Sequence, residues 1–113
     1  MLSLSSSHTY YLYAAAVDMR KSFDGLCGLI RNQTVKNPAS GEVFVFLNRS
    51  RNLIKLLHWE HGGFVLYYKR LEQGTFTPPA LSGTGGSIRW PELVLMIEGI
   101  QVEKSRQKLR YQP

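Results

Sequence analysis

Apolar and polar positions change period several times along this chain, and each change marks an element. Residues 9–13, TYYLY, are aromatic and β-prone and predict a first strand. From Asp18 the period lengthens. Met19, Phe23, Leu26, Cys27 and Ile30 recur at helical spacing, with Arg20, Lys21, Asp24 and Arg31 on the other side. With Asp18 as N-cap, the spacing predicts an amphipathic helix of about four turns. Gly25 and Gly28 lie inside it, each costing ~1 kcal/mol relative to alanine, and glycines in a helix often mark close approach to another backbone.

Asn37-Pro38-Ala39-Ser40-Gly41 is a turn by composition. Three strand-like runs follow, Val43–Leu47, Leu53–Trp59 and Phe64–Arg70, joined by the short loops NRSRN (48–52) and EHGG (60–63). Loops this short predict an antiparallel meander. A turn at His61-Gly62 sets the register: Trp59 faces Phe64, Leu57 faces Leu66 and Lys55 faces Tyr68. Leu53, Lys55, Leu57, Trp59, Phe64, Leu66, Tyr68 and Arg70 then share one face. Ile54, Leu56, His58, Val65, Tyr67 and Lys69 share the other. Both faces are largely apolar, whereas a half-solvated sheet alternates more cleanly. The sheet is therefore curled, covered on both sides, or docked on a partner.

Residues 71–86 are turn-rich, and 87–90 read as a short strand. Pro91, at a first helical position, opens a second helix with Leu93, Met96, Ile97 and Ile100 on one face and Gly99 as its C-cap. The resulting expectation is a single small α+β domain over residues 1–100. It consists of an antiparallel β-meander with an N-terminal strand–helix unit and a short C-terminal helix. Residues 101–113 form a basic tail.

Composition adds bounds. The 113 residues, 43% hydrophobic and 19% charged, suit one globular domain and exclude wholesale disorder. No apolar stretch approaches the ~20 residues of a membrane helix. The start lacks the charged and apolar regions of a signal peptide. The single cysteine, Cys27, sits on the apolar stripe, where a packed thiol is expected rather than a nucleophile. The reducing cytoplasm is the expected location.

Charge carries the functional hint. A net charge of +6 favours a polyanionic partner, nucleic acid being the commonest. Arg49 and Arg51 lie on the NRSRN turn, and Lys69 and Arg70 end the following hairpin. A meander brings these four to one end of the sheet, with Lys55 one pleat away and Asn and Ser as neutral phosphate donors. Such a patch contacts DNA backbone; the plainer reading is a solvated turn with strand-end cations that blunt an edge. Lys104, Arg106, Lys108 and Arg110 place half of the net charge in the tail. They serve there as further phosphate contacts or only as a solubilising end.

Catalytic constellations are missing from the sequence. GTGG at 83–86 lacks a phosphate loop's lysine and helix. His58 and His61 suit a solvated turn better than a metal site, and no clustered carboxylates serve two-metal chemistry. No metal, cofactor or enzymatic activity is expected.

The stretch Asp18-Met19-Arg20-Lys21-Ser22-Phe23-Asp24-Gly25-Leu26 resembles the DMRK-x-FDGL signature of a small accessory-protein family. This is the TnpB family, the second-open-reading-frame products of insertion sequences of the sixty-six type. The resemblance continues through Gly41, Phe44-Val45-Phe46, Asn48-Arg49, Arg51, Lys55, Trp59, Gly63-Phe64, Lys69-Arg70-Leu71-Glu72, Gly74, Phe76 and Pro79, and ends near Glu98-Gly99. It implies a non-catalytic role in transposition, beside a large transposase and a small helix-turn-helix protein. The motif residues are Asp18, Met19, Arg20, Lys21, Phe23, Asp24 and Gly25; the family assigns them no catalytic role. Two departures stand out: Arg89-Trp90-Pro91 replaces the frequent Ser/Thr cap, and the basic tail runs past the usual end. The functional expectation is an accessory protein that binds element DNA, the transposase, or both through a basic surface. The alternative is a protein–protein adaptor for the transposase without DNA contact, suggested by the apolar second sheet face.

Overall fold

The computed structural model describes residues 4–81, 83 and 85–98. Five strands and two helices follow one another as β1 (Tyr10–Tyr13), α1 (Phe23–Gln33), β2 (Val43–Leu47), β3 (Leu53–Glu60), β4 (Gly63–Arg70), β5 (Gly85–Ile88) and α2 (Trp90–Glu98). They form one mixed sheet of order β4-β3-β2-β1-β5. The α+β class holds, and β2, β3 and β4 are the antiparallel meander. The hairpin register is the expected one, with Lys55 opposite Tyr68, Leu57 opposite Leu66 and Trp59 opposite Phe64. Its two-residue turn has positive φ at both His61 (51°) and Gly62 (80°), the twist that suits a tight hairpin.

The edges of the meander were not legible. β1 lies parallel to β2, and β5 runs antiparallel to β1. A parallel neighbour needs a long crossover, and α1 supplies it while burying its own apolar stripe. Gly85 shows how close the last pairing is. A β-carbon there would collide with the Leu12 carbonyl oxygen, and φ is +147°. Gly85→Ala should therefore cost about 2–4 kcal/mol in urea unfolding. Gly86→Ala, whose β-carbon would meet only the flexible Leu81 side chain at 3.3 Å, should cost clearly less. Equal midpoints for the two variants would contradict this account of β5.

The chain itself covers both sheet faces over β1–β3, while β4 stays partly exposed. On one side Leu26, Cys27 and Ile30 of α1 pack on Tyr11, Tyr13, Phe44, Phe46 and Leu57. On the other, Phe76, Leu93 and Met96 pack on Tyr10, Leu12, Val43, Val45, Ile54 and Leu56. The unbroken apolar runs of β1 and β2 follow from burial on both faces. The second face, whose apolar character suggested a protein-only adaptor, lies under α2 and the segment around Phe76.

Both helices start differently from expectation. α1 begins at Phe23 behind Ser22, not behind Asp18. Asp18 instead closes a turn: its carboxylate accepts the Arg20 backbone N–H at 2.9 Å, and its carbonyl accepts that of Lys21 at 3.0 Å. Arg20 and Lys21 thus precede the helix, and Phe23, expected on the buried stripe, is 42% exposed. Gly25 faces no foreign backbone, since a β-carbon would meet the Lys21 side chain at 3.0 Å; one at Gly28 would meet open space. α2 begins at Trp90 rather than Pro91. Glu92 accepts the Arg89 N–H at 2.7 Å, half of a capping box that works without a Ser or Thr. Gly99 and Ile100 lie outside the described residues, as does the tail with Lys104, Arg106, Lys108 and Arg110. Among the described residues no helix is long and apolar enough to cross a membrane.

Candidate nucleic-acid interface

The β2–β3 turn is built to hold its shape. Asn48 Oδ1 accepts the N–H groups of Asn52 and Leu53, both at 3.0 Å, while Asn48 Nδ2 donates to Asn52 Oδ1 at 2.8 Å. The asparagines expected to donate to phosphates are thus engaged within the turn. Arg51 takes a left-handed φ of 57°, and its carbonyl accepts the Phe76 N–H at 2.7 Å. Arg49, Ser50 and Arg51 all point to solvent. Among the described residues no carboxylate pairs with either arginine, whereas Arg20, Lys36, Arg70 and Arg89 each lie within salt-bridge distance of one.

The other cations of the expected patch divide. Lys55 is a correction: it is 4% exposed, and its ammonium donates to the carbonyls of Met19 at 2.7 Å and Lys21 at 2.6 Å. It also lies 4.5 Å from the centre of the Tyr68 ring. Burial holds its pKa below the ordinary lysine value. Lys55 is therefore an internal strut and not a surface contact. Lys69 is half-buried and donates to the Ile97 carbonyl at 2.8 Å, near the C-terminal end of α2, where a cation is favoured. Arg70 is exposed and pairs with the equally exposed Glu72 at 3.0 Å, a weak bond in water. It stays at the same end of the sheet, because it lies opposite Leu53 and the next N–H, that of Leu71, donates to the Asn52 carbonyl.

Two clefts flank Arg49. The larger, of about 570 Å³, opens at the C-terminal ends of the parallel pair β1 and β2. It is lined by Arg49 and Arg51, by Ala14–Ala16 and by Pro78–Leu81. The smaller, of about 450 Å³, lies between the 17–20 turn and the 48–50 turn and includes Arg20, Arg49, Ser50, Leu53 and Tyr68. The motif residues Asp18, Met19 and Arg20 therefore form one wall of a cleft whose other wall is the basic turn. Arg20 pairs with Asp18 at 2.6 Å, and hydrogen bonds from Arg20 lower the Asp18 pKa to about 2. Lys21, Phe23 and Asp24 are exposed around the start of α1.

Sequence reading missed Arg20 and Tyr68 as members of this site. The signal for Tyr68 was present: register set a lysine against a tyrosine beside Leu53, Leu57 and Leu66 on the same face.

Cys27 and His58 are packing groups. Cys27 is buried, and burial raises its thiol pKa. His58 is buried against His8, ring centres 4.9 Å apart, while His61 stands exposed at the hairpin tip. Burial, and then His8, lower the His58 pKa. Among the described residues no group of three or more His, Cys, Asp or Glu is placed to hold a metal ion.

A family model described as IS66 Orf2 like protein matches residues 8–107, running on into the basic segment after residue 100. Two proteins of Sinorhizobium fredii (strain NBRC 101917 / NGR234) are similar. Uncharacterized protein y4hO is 30% identical over 100 residues, spanning 88% of this chain and 87% of its own length. Uncharacterized protein y4jC is 26% identical over 92 residues, spanning 81% and 79%. No solved structure matches the chain.

Proposed function

Because the chain belongs to the IS66 Orf2 like protein family, we propose that it is an accessory protein of insertion-sequence transposition that holds element DNA by its phosphates. The observation that carries this reading is the β2–β3 turn, closed by hydrogen bonds of Asn48 and Asn52. It presents Arg49 and Arg51 to solvent without a carboxylate partner among the described residues, in a chain of net charge +6. Arg70 and Arg20 lie nearby, each paired with a carboxylate, Glu72 and Asp18, and so add hydrogen-bond donors but no net charge. Lys104, Arg106, Lys108 and Arg110 are proposed as further backbone contacts. The role is one of positioning: it brings DNA to the co-encoded transposase and small helix-turn-helix protein, and makes no or breaks no bond itself.

Phosphate contacts release counterions, so affinity should fall steeply with salt. Titrating labelled DNA with the full chain at increasing salt should give a log–log slope of about −2 if Arg49 and Arg51 alone neutralise phosphates, steeper by about one for each further cation that joins them. A slope near zero, or no binding at low salt, would overturn the reading and favour the protein–protein adaptor.

A further inference from the structure

Tyr68 is a large aromatic residue, 52% exposed, at the charged end of the sheet. Its face-mates Phe64 and Leu66 pack against the cluster under α1. α1 begins only at Phe23, and Tyr68 is left half uncovered. The ring is nevertheless held. Lys55 Nζ lies 4.5 Å from its centre, and that ammonium is pinned by the Met19 and Lys21 carbonyls. An exposed aromatic fixed by a buried cation loses little freedom when something stacks on it.

The same cleft has chemistry for the rest of a nucleotide. Val17, Met19 and Leu53 give apolar wall, Arg49 gives an open cation beside the Arg20–Asp18 ion pair, and Ser50 adds a hydroxyl. A volume of about 450 Å³ lies in the range of small-ligand sites. Duplex DNA keeps its base faces stacked on one another, so it offers only phosphates to such a cleft. An unpaired nucleotide offers a base plane as well. We propose that this cleft takes unpaired nucleotides of single-stranded DNA, a base stacking on Tyr68 with its phosphate on Arg49.

This deepens the DNA-binding reading and rests on it. The experiment measures fluorescence anisotropy of the full chain with a labelled oligothymidylate of roughly ten nucleotides, a length within known single-strand site sizes. A duplex of equal length is the comparison. The protein should bind the single strand more tightly. Tyr68→Phe should retain that preference, whereas Tyr68→Leu, which keeps apolar bulk without a π-face, should lose about tenfold on the single strand and little on the duplex. Photo-cross-linking of an iodouracil-substituted oligonucleotide to the unaltered protein should mark Tyr68, which keeps the test valid should the leucine variant fold poorly. Equal or tighter binding of duplex, an unaffected Tyr68→Leu variant, or cross-links elsewhere only would overturn the stacking while leaving DNA binding intact. Absence of binding to either DNA at low salt would overturn both.

Discussion

Reversing charge at Arg49 and Arg51 to glutamate is expected to lower DNA affinity by about 100-fold at moderate salt and to flatten the salt slope by about two units. The size follows from the turn. Two exposed cations without carboxylate partners among the described residues are replaced by two anions, Arg49 at the rim of both clefts and Arg51 at that of the larger. The loss should be the same for any DNA sequence, because phosphate contacts position a protein without reading bases. The fold should survive. Both side chains are exposed, and the hydrogen bonds that close the turn come from Asn48 and Asn52. A thermal midpoint within a few degrees of the unaltered protein would establish that. Unchanged affinity in the double variant would move the contact to Lys104, Arg106, Lys108 and Arg110. Unchanged affinity after removing residues 101–113 as well would discard the basic surface as a DNA site.

Lys55→Met should act in the opposite way, on stability rather than on charge. Methionine keeps the length of the stem but leaves the Met19 and Lys21 carbonyls without their shared donor. An unsatisfied buried polar group costs roughly 1–3 kcal/mol, and the two carbonyls sit in a turn that can partly swing toward water, so a net loss of about 2 kcal/mol is expected. For a domain of this size that lowers the thermal midpoint by roughly 10 °C. Amide exchange over residues 19–23 should quicken. Lys55→Arg should not restore the midpoint, since a planar guanidinium cannot replace a compact ammonium between two carbonyls and a ring. The part of the salt slope that Arg49 and Arg51 supply should stay unchanged, because the Lys55 ammonium is buried and the β2–β3 turn is closed by Asn48 and Asn52. An unaltered midpoint together with unaltered exchange would show that the motif turn holds without it.

The two variants separate what a sequence determines from what only the folded chain decides. Elements and hairpin register were legible. A period of two with loops at 48–52 and 60–63 leaves one pairing that keeps Leu57, Trp59, Phe64 and Leu66 together, and His61-Gly62 adopts the positive φ that this pairing needs. The apolar runs on both faces indicated that the sheet could not stand bare, and α1, α2 and Phe76 cover it. The helix start was not legible. Asp18 followed by an apolar spacing is a sound local signal, yet the carbonyls of Met19 and Lys21 are claimed by an ammonium 36 and 34 residues away. The same holds for the cations. Composition counts Arg49, Lys55, Lys69 and Arg70 alike, but one is open, one buried, one tied to the end of α2 and one ion-paired. Periodicity records which side of its own element a residue takes, because that depends on backbone geometry within a few residues. Whether a charge faces water, a carbonyl or a carboxylate depends on what other elements bring alongside it, and only the packed sheet decided that.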